Sequence, residues 1–258
     1  MYEVRNEAER AEILIYDEIG ERTTWYGEKV GISAERFKES LDEVSPKPVD
    51  LHIDSSGGDV FEAFAMCSAI QRYKGEVHAY VDGLAASAAS YIAVVCDEVT
   101  MNDYAYLMIH CASAYKWGNA RDMEDIAERL RNIDANLARI YAKRSALTID
   151  EVIEYMREET WFTADKALEV GLCTEVLETE ERIAACVDDE LAKHYRHVPE
   201  NMQRRAEALP GIIDPTVIMP ARARGAGTTA DDSHAANSIT DARQYSVLDG
   251  LIIERKKA

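Results

Sequence analysis

Ser87, His110 and a carboxylate downstream of them are the residues of this chain whose types and order could do covalent chemistry. Ser87 follows a predicted strand, the Asp82-Gly83 break and a run of small residues, which puts it at or just inside a helix N-terminus. Unpaired backbone N–H groups and the helix dipole favour negative charge there. That environment suits a serine nucleophile and a neighbouring tetrahedral oxyanion. His110 ends a predicted strand, and the C-terminal strand ends of a parallel α/β sheet line its functional face. A histidine at such a position reaches a nucleophile on an adjacent strand–helix junction and acts as general base. Gly57-Gly58 closes another strand and opens another helix. Paired glycines permit positive φ and close backbone approach, so their N–H groups can face an oxyanion. A third group must orient the histidine; Glu158, Glu159 and Asp165 all qualify by position, and spacing does not separate them. The order is Ser, His, acid. It is not the Gly-x-Ser-x-Gly elbow, since Ala85 and Ala89 flank Ser87. Each feature also has an ordinary use: a small residue for helix packing, a strand-end histidine bonded to backbone, a tight turn. His52 and His78 lie inside predicted strands and read as structural, while His194, His197 and His234 fall in a weakly organised tail.

Periodicity and punctuation outline the elements that must place these groups. Residues 12–16 read as a first strand and 17–32, polar and dotted with glycine, as a loop. Ser33 caps a helix over 34–44, with Phe37, Leu41 and Val44 on one face. Pro46 and Pro48 end it. Residues 49–53 alternate as a strand, 54–59 form a turn, and 60–73 form a helix stopped at Gly75. Residues 77–81 make a strand that Asp82-Gly83 breaks, and the small-residue run 84–93 reads as a tightly packed helix. Strands over 98–101 and 105–109 follow. This alternation predicts an α/β fold with a parallel sheet and right-handed crossovers. Residues 121–144 form a long helix whose Met123, Ile126, Leu130, Ile133, Leu137 and Ile140 make a narrow seam, suited to its own core or to a partner subunit. A helix over 148–157 comes next, and Thr163 caps a short helix ending at Gly171.

Composition bounds the function from outside. The chain has 258 residues, 47% hydrophobic, enough for a substantial core. Lys and Arg number 29 against 48 Asp and Glu, a formal net charge of −19. That argues against nucleic acid or an anionic membrane held by a diffuse basic surface. No apolar run is long enough to span a bilayer, and the N-terminus lacks the apolar core of a signal peptide. Cys67, Cys96, Cys111, Cys173 and Cys186 include no CxxC pair, which argues against a disulfide framework or zinc site and fits a reducing cytoplasm. Beyond residue 180 the composition shifts: Pro199, Pro210, Pro215 and Pro220 fall there, and 221–244 hold one large aliphatic residue, Ile239. That stretch is expected to be disordered. The folded catalytic unit is expected over 1–180 and an extension over 181–258, with the apolar last residues as a docking segment.

Four segments in order, IDSSGGDVFEAFAMCSAI (53–70), YVDGLAASAASYIA (80–93), LMIH (107–110) and ETWFTADKALEVGL (159–172), give the chain a specific resemblance over about residues 12–178. It resembles the Clp protease proteolytic-subunit (ClpP) family, and within it the phage Clp-like head maturation (prohead) proteases, the latter through GLAASAAS and ETWFTA. The resemblance implies a ClpP/crotonase-like α/β fold of repeated β-β-α units with a protruding handle helix over 122–141. It implies a serine endopeptidase, working alone or with an ATP-dependent unfoldase, with Ser87 as nucleophile and His110 as base. Glu159 stands where the family has its triad aspartate, and the N–H groups of Gly58 and Ala88 match the oxyanion hole. Ser56 replaces a proline of the family's Gly-Gly turn, and Cys111 follows the histidine where Gln or Asn is frequent. No metal or cofactor is implied. The expected partners are capsid, scaffold or portal proteins as substrates and further copies of the chain in a ring, in the bacterial host cytoplasm or the phage prohead. Rival expectations are a crotonase-type acyl-CoA enzyme of the same superfamily, a non-catalytic assembly protein, and a Ser-Lys dyad drawing on Lys74 or Lys116.

Overall fold

The structure, a computed structural model, describes residues 1–23, 26–27, 29–178 and 195–199, with the backbone of 247–248 and 251–252. The expected disorder over 221–244 and the docking of the last side chains lie outside the described residues. The chain forms two compact units: Met1–Ser113 with Arg129–Arg205, and Ala114–Glu128 with Ala206–Ala258.

In chain order the first unit contains β1 (Tyr2–Asn6), β2 (Ala11–Ile15), the two-residue strands β3 (Arg22–Thr23) and β4 (Lys29–Val30), α1 (Ala34–Val44), β5 (Val49–Ser55), α2 (Val60–Arg72), β6 (Val77–Ala86), α3 (Ala88–Val94), β7 (Glu98–Asn102) and β8 (Tyr106–Ile109). Helix α4 (Ala120–Arg144) starts in the second unit and ends in the first. There follow α5 (Ile149–Arg157), β9 (Thr160–Thr163), α6 (Ala164–Val170) and β10 (Glu175–Leu177). In the second unit β11 (Val247–Leu248) and β12 (Leu251–Ile252) pair with each other, antiparallel.

Helix starts follow local chemistry. Ser33 accepts from Arg36 N–H, Asp59 from Phe61 and Glu62, Thr148 from Glu151 in a full capping box, and Thr163 from Lys166. Gly171 ends α6 in the left-handed conformation. The Phe37, Leu41 and Val44 face of α1 is buried, as its spacing predicts.

The sheet runs β1-β2-β5-β6-β7-β10, with β8 branching from β6 and β9 from β8. Pairings are parallel except β1–β2 and β8–β9. The branch is possible because β6 is long. Its residues His78 to Val81 pair with β7, and Leu84 to Ala86 pair with β8. Asp82-Gly83 therefore does not break the strand, and residues 84–86 are strand rather than helix. Asp54 Oδ1 accepts the Leu84 N–H across a register shift between Ile53 and Ser55, which carries the ladder past the irregularity. Segment 17–32 is likewise more than a loop: Ile19 is 1% exposed and bridges both Ile32 and Gly58.

In β5 and the first half of β6 buried residues alternate with more exposed ones, so the core lies against one face of the sheet there, with Ile13, Ile15, Leu51, Ile53, Phe37 and Met66 fully buried. Helix α3 packs through small side chains, and every residue of it is buried. On α4 only Leu137, Ala138 and Tyr141 are buried, while Met123 at the other end of the seam is exposed. Among the described residues no helix is long and apolar enough to cross a membrane.

Candidate active site

The branch in the sheet is what assembles the site. Strands β5, β6, β8 and β9 are neighbours, and each delivers one group at one end. Gly57-Gly58 follows β5, Ser87 follows β6, and His110 follows β8. The β8–β9 register pairs Ile109 with Thr160; one step further sets Glu159 across from His110. The Ser87 N–H continues the β6–β8 ladder to Met108 O at 3.0 Å.

Ser87 Oγ lies 2.7 Å from His110 Nε2. Ser87 occupies the N-cap position of α3, yet its side chain makes no capping bond, unlike Ser33, Asp59, Thr148 and Thr163 at the other helix starts. Its hydroxyl is given to the imidazole instead. The backbone there is bent to φ 51°, a region where a non-glycine residue costs about 1–3 kcal/mol. Among the described residues only one other non-glycine shares a positive φ, and it is Glu159, also at 51°. With seven residues, α3 contributes its first N–H groups rather than a long dipole.

The Ser87 carbonyl is clamped. Ser90 Oγ donates to it at 2.7 Å, and Tyr141 OH, 2.7 Å from the same oxygen of Ser90, must then be the donor to Ser90. Both side chains are buried. This relay ties the Ser87 backbone to the inner end of α4.

The glycine turn has its own support. Ile19 N–H donates to Gly57 O at 2.7 Å, and Asp59 N–H donates to Ile19 O at 2.8 Å. Gly57 O and Gly58 N belong to one trans peptide group, so fixing the carbonyl on Ile19 aims the Gly58 N–H the opposite way. Gly57 could not be another residue: a Cβ would lie 2.6 Å from Ala86 O and 2.7 Å from Ala88 N. Among the described residues neither the Gly58 N–H nor the Ala88 N–H has a protein acceptor. The two expected oxyanion donors thus sit at adjoining strand ends with their protons uncommitted.

Burial holds the His110 imidazole below its ordinary pKa, with Arg196 adding to the effect; Glu159 and Asp134 push the other way. A neutral imidazole is the form that accepts a proton. Cys111, next in sequence, is no rival nucleophile, because burial and Asp134 push its thiol up to about 11.

Of the three candidate acids, Glu158 and Asp165 are exposed and Asp165 lies past the far end of β9. Glu159 is 6% exposed and sits in the neighbourhood of His110. Its Oε1 accepts the backbone N–H of Arg196 at 2.6 Å and of His197 at 2.8 Å, with Trp161 Nε1 at 3.5 Å. Among the described residues no hydrogen bond joins it to His110. Lys74 precedes β6 and so lies a strand's length from Ser87, which removes it as a dyad partner; Lys116 lies in the second unit. His52 bonds Asp82 and stacks on Tyr80, and His78 bonds Thr100, so both are structural. Among the described residues no cluster of three or more His, Cys, Asp or Glu could hold a metal.

Sequence reasoning passed over Ile19, Ser90, Tyr141 and residues 195–198. Ile19 and Ile32 stand out only as isolated aliphatics in a polar run, and Tyr141 as the aromatic on the inner end of the α4 seam. Nothing local marks Tyr195 or Val198.

A family model described as Clp protease matches residues 37–180. The ATP-dependent Clp protease proteolytic subunit of Bacteroides fragilis is 30% identical over 140 residues, which cover 53% of this chain and 68% of that protein. Proteolytic subunit 2 of Treponema pallidum is 29% identical over 135 residues, covering 51% of this chain and 67% of that protein. A solved structure of a mutant ClpP1 from Listeria monocytogenes superimposes with a TM-score of 0.55, at 20% identity, covering 66% of this chain and 92% of that one, and shows the shared fold. The match spans more than half of the sequence and runs from α1 through β10, the span that carries the Ser87–His110 pair, and on this ground the chain belongs to the Clp protease family.

Proposed function

We propose that this protein is a serine endopeptidase, and the observation that carries the reading is Ser87 Oγ at 2.7 Å from His110 Nε2, on a strained and uncapped helix start. Ser87 Oγ attacks the scissile carbonyl carbon while His110 Nε2 takes its proton. The N–H groups of Gly58 and Ala88 receive the oxyanion. Collapse breaks the C–N bond, and His110 returns the proton to the leaving amine. Water, activated by the same imidazole, then releases the acyl group from Ser87. Glu159 is the acid that orients His110 once its carboxylate turns to Nδ1. Each backbone donor accounts for about 10²–10³-fold in rate.

The substrates we propose are capsid, scaffold or portal proteins of an assembling phage head, on the strength of the GLAASAAS and ETWFTA segments. The exposed part of the α4 seam supports packing between copies in a ring. An ATP-dependent unfoldase as helper is proposed from the family resemblance, and the names of the relatives say ATP-dependent.

A fluorophosphonate probe should label the wild-type chain at Ser87, and Ser87→Ala should lose both labelling and peptide-bond cleavage. Undiminished proteolysis by Ser87→Ala would sink the assignment. Tight acyl-CoA binding without labelling would point to the crotonase chemistry instead. Mass spectrometry of capsid and scaffold proteins incubated with wild type and with Ser87→Ala tests the substrate class; identical peptide maps remove it.

A further inference from the structure

Residues 195–199 lie beyond the matched family region, which ends at residue 180, yet they are seated on the candidate site. Arg196 and His197 give consecutive backbone N–H groups to one oxygen of Glu159, at 2.6 and 2.8 Å. The His197 ring nitrogen Nδ1 lies 2.8 Å from Glu158 O. Tyr195 OH donates to Ser56 O at 2.6 Å, beside the Gly57-Gly58 turn. The Tyr195 ring stands edge-on to Trp161, with centroids 5.2 Å apart, and to His110 at 6.1 Å. Val198 is 7% exposed and completes a small apolar cluster with Leu84, Ala86 and Met108. Four consecutive residues thus touch the ends of all four strands that build the site.

The contacts are specific in kind. A buried carboxylate is costly unless it is hydrogen-bonded, and Glu159 meets that need with the backbone of this segment. Glu159 Oε1 is committed to the amides of residues 196 and 197 and so is withheld from the imidazole. Meanwhile Tyr195 spans from Ser56, beside the glycine turn, to the edge of the His110 ring, and Val198 anchors the segment beside β6 and β8.

We infer that residues 195–198 are a cis-acting autoinhibitory strap, which covers the Ser87–His110 pair and holds the Glu159 carboxylate on its own backbone, so that the protein rests closed and becomes competent when the strap leaves. The inference rests on the serine endopeptidase reading. It supplies a reason for the one missing link of the triad: the acid is present and buried, but engaged. Reactivity of Ser87 then scales with the fraction of molecules whose strap is open.

The test uses the full chain. Tyr195→Ala combined with Val198→Asp removes the two anchors. Arg196→Pro separately deletes one amide donor to Glu159, and residue 196 belongs to no strand or helix, so the fold is spared. Fluorophosphonate labelling of Ser87 is timed for each protein and for wild type, alongside hydrogen exchange at residues 195–199. The strap predicts protected amides at 196 and 197 in wild type. It also predicts labelling about tenfold faster or more in both variants, with protection gone at 197 in both and at 196 in the variant that keeps that amide. Unprotected amides in wild type overturn the docking. Equal labelling rates in all three proteins, with protection lost in the variants, overturn the inhibitory role. No labelling in any of them, although the variants have released the strap, overturns the serine nucleophile and the inhibition with it, an outcome distinct from failure of the strap alone.

Discussion

At the scale of single residues, the site stores strain where it places its chemistry. Ser87 is held at φ 51° by the β6–β8 ladder on one side and by Ser90 on the other. Glycine adopts that conformation without the Cβ penalty. Ser87→Gly should therefore raise thermal stability, by about 1 kcal/mol, while abolishing labelling; a lower melting temperature would remove the strain argument. The protonation state of His110 gives a second prediction. Burial lowers its pKa, and the base must be neutral to take the Ser87 proton. Activity on a peptide substrate should rise with pH through a midpoint below 6.5, the ordinary histidine value, and be flat by neutrality. A midpoint on the alkaline side of that value would contradict the buried, neutral imidazole.

At the scale of elements, the site depends on one long strand that changes partners. The first half of β6 completes the central sheet, and its second half pairs with β8. Without that switch Ser87 and His110 would end strands that are not neighbours. Helix α4 enters the same arrangement through Tyr141, whose hydroxyl holds Ser90, which in turn holds the Ser87 carbonyl. Tyr141→Phe deletes only the far donor of that relay. It should cost about 1 kcal/mol of stability and slow labelling of Ser87 severalfold, leaving the pH midpoint where it was. A shifted midpoint would mean that Tyr141 acts on His110 rather than through Ser90. The same helix is half-exposed or exposed over Met123, Ile126 and Leu130, so its inner end supports Ser87, and its outer end is the part we propose packs against another copy.

At the scale of the whole molecule, the formal charge of −19 sets the terms of assembly. In the ring we propose, each added copy brings the same excess of carboxylates, and the apolar seam has to overcome their repulsion. Screening weakens that repulsion beyond about 8 Å at physiological ionic strength. Sedimentation should therefore show larger assemblies as salt is added, and dissociation by salt would mean that ion pairs rather than apolar burial hold the copies together.

Much of this was legible in the chain itself. Caps, glycine stops and apolar spacing depend on residues a few positions apart, so Ser33, Thr148, Thr163 and Gly171 mark their helices without help from the fold. The motifs around Gly58, Ser87, His110 and Glu159 are local in the same sense, which is why the family and its candidate residues could be read in order. The misreadings share a cause. Asp82-Gly83 looks like a break until Asp54, from a neighbouring strand, takes the Leu84 N–H. Segment 17–32 looks like a loop until Ile19 is seen holding the Gly57 carbonyl. Glu159 is a different case: it stays our proposed triad acid, but the Arg196 and His197 amides that its carboxylate meets in this structure lie 37 and 38 residues away, and no local signal marks them. Sequence alone determined which groups are present and which elements carry them. Tertiary structure decided which hydrogen-bonding group each one meets, because those partners lie tens of residues away and become neighbours only when the sheet is formed.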